Sequence, residues 1–222
     1  MTEHNSFVAP TRLTTVRRNA KRGVYNRAVI DAILDEGLVC HVAFVHEGKP
    51  CLIPTAYARE GRWLYLHGAR KNRMLQAICG QAACITVTLL DGLVLARSAF
   101  HHSVNYRSVV LYGEGEEVTD AGEKLRAMER LVEHIVPGRW AEARQPTDEE
   151  LNVTLIVRLP VEECSAKVRT GPPVDDEADL LLDVWAGVLP LSLSWGEPLP
   201  DTLQPASIPV PRYVARYRRP GR

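Results

Sequence analysis

The stretch LVCHVAFVHEGKPCLIPTAYAREGRWLYLHG (38–68) decides the fold. Apolar, β-branched and aromatic residues fill three short runs, 38–46, 51–58 and 63–68, and the four-residue pieces EGKP and REGR separate them. Turns this short leave no room for a crossover, so the three strands are expected to run antiparallel. Downstream, RKNRMLQAICG (70–80) spaces Met74, Leu75 and Ile78 for a helix that Gly80 closes. AACITVTLL (82–90) is a further strand, Asp91-Gly92 reads as a hairpin turn, and LVLARSAF (93–100) begins the returning strand. NYRSVVLYGEGEEV (105–118) is a long strand in which Gly113 and Gly115 suggest a bulge or bend.

Two helices flank these runs. Asn26 is placed to cap one through Ile30, Ile33 and Leu34, ended by Gly37. Asp120 caps AGEKLRAMERLVEHIV (121–136), with Leu125, Met128, Leu131, Val132 and Ile135 on its apolar side. LNVTLIVRLPVEECSAKVR (151–169) supplies one or two last strands. Seven or so strands against three or four helices, with no alternation of strand and helix, predict a mainly β protein. Its expected core is an antiparallel barrel, closed or split, with peripheral helices. Residues 1–24 form a basic arm, 25–190 the barrel domain, and 191–222 a proline-rich tail expected to be poorly ordered or to lie on a partner.

The chain has 222 residues, 45% hydrophobic and 24% charged, with 27 basic side chains balancing 27 acidic ones. A formal net charge of zero argues against nucleic acid as a partner despite the arginines of the arm and tail. No apolar run reaches the length of a membrane span, and MTEHNSFVAPTRLTT lacks a signal-peptide pattern, so a cytoplasmic protein is expected. The five cysteines form no CxxC pair and read as free thiols.

The polar run ARSAFHHSVNYRSVV (96–110) carries most of the candidate chemistry. Neighbouring residues of a strand point to opposite faces, so His101 and His102 cannot chelate together, and the nearest acids in sequence are Asp91 and Glu114. No metal site is expected. GEGEEV (113–118) lacks the third glycine of a dinucleotide fingerprint, and no GxSxG elbow or P-loop is present. Anion binding fits better. His67, Lys71, Asn72 and Arg73 gather donors where a strand feeds a helix, and Arg97, Ser98, Ser103 and Arg107 gather more in the polar run. If Leu64 and Leu66 face the core, Trp63, Tyr65 and His67 share the other face, which suits a flat phosphorylated cofactor or a neighbouring subunit.

IPTAY (53–57), LYLHGARKNRML (64–75), DGLVLARSAFHHSVNYRSVVLYGEGEEV (91–118), SAKVR (165–169) and VWAGVLP (184–190) together resemble the flavin-binding split-barrel family. That family is related to pyridoxamine 5′-phosphate oxidase and the 5-nitroimidazole-resistance proteins. The resemblance implies a homodimer with FMN in a cleft between subunits, and an FMN-dependent oxidoreductase of small molecules. FAD, deazaflavin or haem are the alternative cofactors, and a non-catalytic flavin- or haem-binding module is the alternative function. It further implies that Lys71, Asn72 and Arg73 hold the flavin phosphate. Ile53, Pro54 and Thr55 would lie along the isoalloxazine edge, with His67 and Ala69 beside the flavin. Ser103 and Arg107 are assigned to the cofactor or substrate cleft. His67 and His102 are the candidate proton donors to a reduced substrate, since imidazole titrates near neutral pH. The ending WAGVLPLSLSWGEP (185–198) departs from pyridoxamine phosphate oxidase proper, which puts vitamin B6 as substrate in doubt.

Overall fold

The computed structural model describes residues 6–205 and 207–219. The first five residues of the basic arm, and residues 206 and 220–222 of the tail, lie outside them. In chain order the elements are β1 (Gly23–Val24), α1 (Arg27–Glu36), β2 (Val39–His46), β3 (Lys49–Ala56), β4 (Ala58–Glu60), β5 (Trp63–Ala69) and α2 (Arg73–Ile78). There follow β6 (Ala82–Leu95), β7 (Ser103–Glu114), β8 (Glu116–Glu117), α3 (Ala121–Ile135), α4 (Asp148–Val153), β9 (Thr154–Pro160), β10 (Glu163–Arg169), β11 (Gly187–Pro190) and α5 (Arg212–Ala215). The strands pair antiparallel, as the short turns required. No helix among the described residues is long and apolar enough to cross a membrane.

The chain divides into two compact units. One comprises residues up to 37, 86–111 and 163–193; the other comprises 38–85, 112–162 and 194–222. In the second unit, β2 and β3, eight residues each, form a hairpin with Val39 opposite Ala56 and His46 opposite Lys49. Glu47 (φ 50°) and Gly48 (φ 71°) make its two-residue turn. Positive φ at both positions matches the right-handed strand twist, which is why glycine follows glutamate there. Cys40, Val42 and Phe44 alternate inward along β2.

A four-stranded sheet ordered β4-β5-β9-β8 completes the strands of that unit. Leu64 and Leu66 of β5 are fully buried on one face. The other face is not open: Tyr65 packs with Val118, Ala127 and Ile156, and Trp63 and Met128 close over the group. The aromatic face expected to lie on a cofactor or a neighbouring subunit is therefore covered, from Trp63 to Tyr65, by α3. Tyr65 donates to Glu123 Oε1 at 3.2 Å, and the Arg158 guanidinium sits 4.3 Å from the Trp63 ring centroid. The Asp120 cap is present, accepting from Glu123 N at 2.8 Å. The buried side of α3 is rotated from the expected one: Lys124, Ala127 and Leu131 are buried while Leu125 and Ile135 are 39% exposed.

Gly115 is needed for close approach. A Cβ there would meet Ile78 O and Val157 Cγ1 at 2.7 Å, and its N–H donates to Ile78 O at 2.9 Å. Within the second unit, part of the proline-rich tail is ordered by contacts with its own chain. Tyr213 donates to Glu142 at 2.6 Å, Tyr217 to Ile135 O at 2.5 Å, and Trp195 stacks edge-on against Tyr217.

In the first unit the strand order is β1-β10-β7-β6, with β11 on β6. Asn26 caps α1 by accepting from Val29 N at 3.2 Å. The expected hairpin turn at Asp91-Gly92 is absent, for β6 runs unbroken through both residues. Gly92 is there because β11 crosses it: Pro190 is its partner, and a Cβ would stand 2.9 Å from Leu189 O. Leu191 N donates to Asp91 O at 3.0 Å, which extends that pairing by one bond.

Candidate functional site

The strand-to-helix turn of the second unit holds the larger group of candidates. Asn72 N donates to Ala69 O at 2.8 Å, and Asn72 Oδ1 caps α2 by accepting from Leu75 N at 3.1 Å. The Asn72 side chain is thus spent on folding the turn. Gly68 lets that side chain close in, because a Cβ would meet Asn72 Nδ2 at 3.0 Å. Arg70 is paired with Glu117 at 2.9 Å, and its carbonyl accepts from Gln76 Nε2 at 2.7 Å. Lys71 and Arg73 are exposed and form no ion pair among the described residues, so both charges remain available to an anion.

His67 ends this strand half-buried. Burial depresses its pKa below the ordinary 6.5, because a charged imidazolium loses hydration there. Its Nδ1 is buried and has no hydrogen-bond partner among the described residues. A neutral ring with an unsatisfied nitrogen is equipped to bond a ligand atom or a metal, and buried polar atoms are otherwise nearly always paired. Ala69 is exposed beside it. Ile53, Pro54 and Thr55 lie midway along β3, opposite Val42, His41 and Cys40. Pro54 is exposed, and Ile53 and Thr55 are half-buried.

Ser103, Arg107 and His102 belong to the first unit. Arg107 is fully engaged: it bonds Asp91 through Nε (2.9 Å) and Nη2 (2.8 Å), and Glu36 through Nη1 (2.5 Å) and Nη2 (3.0 Å). Its pKa rises above the ordinary arginine value through the bonds to Asp91 and Glu36, against the effect of burial. Glu36 is 5% exposed, so this arginine neutralises a buried carboxylate. Ser103 opens β7, half-buried. His102 is exposed, and its Nδ1 lies 3.0 Å from Ser98 O. His101, its neighbour, instead meets Asp176 at 3.2 Å.

The polar run is clamped by residues that sequence reasoning missed. Asp175, its side chain 1% exposed, accepts from Arg97 N (2.9 Å), Ser98 N (3.4 Å) and Arg97 Nη1 (3.1 Å). Burial acts to raise the Asp175 pKa, but these bonds outweigh it and hold the carboxyl below the usual range. Arg169 bonds the Asn105 side-chain oxygen, and Asn105 Nδ2 donates to Gly171 O at 3.1 Å. Burial, then the nearby Arg22 charge, lowers the Arg169 pKa. All five cysteines are free, and burial pushes the Cys40 thiol up to about 12 and Cys164 to about 11. Neither is a thiolate at neutral pH.

The class of protein follows from comparison. The family model described as pyridoxamine 5′-phosphate oxidase matches residues 26–168. This chain belongs to the pyridoxamine 5′-phosphate oxidase-like family, and its fold is that family's antiparallel split barrel with peripheral helices. Among solved structures it is similar to the flavocytochrome Anf3 of Azotobacter vinelandii, at 38% identity over 95% of this chain and 98% of that one, with a TM-score of 0.90. It is similar also to an FAD- and haem-binding protein of Mycobacterium smegmatis, at 35% identity over 87% of this chain and 95% of that one, with a TM-score of 0.83. A candidate 5-nitroimidazole antibiotic resistance protein of Bacteroides thetaiotaomicron shares the fold, at 23% identity over 66% and 86% of the two chains and a TM-score of 0.56. No curated protein matches the chain.

Proposed function

We propose that the chain is a flavin-dependent redox protein acting on small molecules, with the flavin's anionic end held by Lys71 and Arg73. The single observation that carries this reading is the 38% identity to a flavocytochrome across 95% of the chain. The donor set fits. Two exposed cations without ion pairs, on one turn, suit a phosphate, and α2 is too short for its dipole to replace them. A bound flavin supplies hydride or electron transfer, while the protein supplies binding, orientation and electrostatics. His67, neutral and with one nitrogen unsatisfied, is the group suited to bond the cofactor or pass a proton to substrate.

The relatives named for a flavocytochrome and for FAD and haem move the favoured flavin from FMN to FAD, and they add haem as a second cofactor. Two such cofactors in one chain would suit electron relay from a donor that reduces the flavin to an acceptor reduced at the iron. A homodimer is part of this reading, since Leu181, Trp185 and Leu189 of the first unit are exposed at 94%, 69% and 58%.

The visible spectrum of the purified protein tests the proposal. Flavin bands that bleach with a reductant are expected, together with a Soret band, and acid extraction followed by chromatography separates FAD from FMN. A protein that is colourless and takes up neither FAD nor FMN overturns it. Flavin bands without a Soret band leave the flavin reading and remove haem. Light scattering at several concentrations reads the dimer.

A further inference from the structure

The fold joins His101 to two acids that lie far from it in sequence. Asp176 and Asp179 come from the segment after β10, and one ligand atom of each of the three residues lies within 4.8 Å of the other two. His101 Nε2 is 3.2 Å from Asp176 Oδ2. Asp176 stands at the start of a short 3-10 helix (Glu177–Leu181), where an aspartate ordinarily caps, yet its side chain makes no cap bond and turns to His101. Asp179 has no ion-pair partner among the described residues. Two carboxylates therefore face one imidazole, and neither pairs with a lysine or arginine among the described residues.

We propose that His101, Asp176 and Asp179 form a site for a divalent transition metal of the zinc type. Imidazole nitrogen and carboxylate oxygen are both ligand atoms that zinc takes, and a water would complete the tetrahedron around the three residues. Metal–ligand bonds of about 2.1 Å put neighbouring donors about 3.4 Å apart, so a small side-chain rotation closes the set. The imidazole selects against magnesium and calcium, which take oxygen ligands. Both ligand-bearing segments are already fixed, because the buried Asp175 carboxylate clamps Arg97 and Ser98 next to them. Asp176, 78% exposed, leaves the ion open to water. The bound ion pins the polar run 97–102 to the segment 175–181, and it is independent of any flavin.

Titration calorimetry on the full chain, stripped with chelator, tests the site with zinc chloride and, separately, magnesium chloride. One zinc per chain is expected and no magnesium heat. His101→Ala and Asp179→Asn should each weaken zinc binding at least about tenfold, since each removes one of three ligands. Hydrogen exchange should show zinc-dependent protection confined to 97–102 and 175–181 in the native chain, absent in Asp179→Asn. Asp179→Asn keeps size and shape, so it carries the test if His101→Ala does not fold. No zinc heat in the native chain overturns the proposal. Binding undiminished in Asp179→Asn overturns it too, because the ion would then sit elsewhere on the chain.

Discussion

Two clusters rich in cations, one in each unit, differ in whether their charge is spent. On the turn after β5, Lys71 and Arg73 reach solvent unpaired. Along 97–107, Arg97 is tied to Asp175 and Arg107 to Asp91 and Glu36. The sequence gives both clusters the same appearance, since it lists donors without their partners. What separates them is burial. A carboxylate such as Glu36, removed from water, demands a cation, and that cation is then no longer free for a ligand. The first cluster is suited to binding and the second to holding the fold.

The sharpest way to break this contrast is Arg107→Ala. It removes the arginine that bonds the buried Glu36 and Asp91 and should cost about 3–5 kcal/mol of unfolding free energy in urea. Lys71→Ala with Arg73→Ala should stay within about 0.5 kcal/mol of the parent. Equal losses in the two variants would remove the distinction. A smaller loss, about 1–3 kcal/mol, is expected for Gly115→Ala, whose Cβ would press on the Ile78 carbonyl and Val157 at 2.7 Å. It tests whether the second unit depends on a tight backbone crossing rather than on charge. The turn variants should instead show their effect in cofactor content. Losing two cations should weaken flavin uptake at least about tenfold, or about 1.4 kcal/mol, measured by fluorescence quenching on reconstitution. Unchanged uptake would return Lys71 and Arg73 to the status of ordinary surface charges.

Local chemistry was legible in the sequence; distant partners were not. Asn26 and Asp120 were readable as caps because capping acts over three residues, and both accept the predicted bond. Glu47-Gly48 was readable as part of a turn for the same reason. Asp91-Gly92 misled because glycine answers two demands, positive φ and close approach, and the second depends on β11, which arrives almost a hundred residues later. The apolar side of α3 misled because Ala127 packs tightly while Leu125 is left in solvent. Among the candidate site residues, His67 and the turn 71–73 could be nominated from the sequence because they are close neighbours along the chain. Arg107 was nominated in the same way, but its partners lie 16 and 71 residues away, and no local pattern marks them. Asp176, 75 residues from His101, was hidden in the same way.

The smallest expected effect concerns His67 and pH. Its folded pKa is depressed by burial, whereas the unfolded chain titrates near the ordinary 6.5. Below that value the unfolded state binds more protons than the folded one, so stability falls as pH falls and levels off below the folded pKa. Above it both states are neutral at this residue and the contribution is constant. His67→Gln removes the titration while keeping a polar side chain. Urea denaturation at pH 7.5 and pH 5.0 should therefore show a smaller drop in stability for the variant than for the parent. An equal drop would mean that His67 takes up its proton as freely as it does in water. The unsatisfied Nδ1 would then have found water, and His67 would no longer set the turn after β5 apart from a solvated surface.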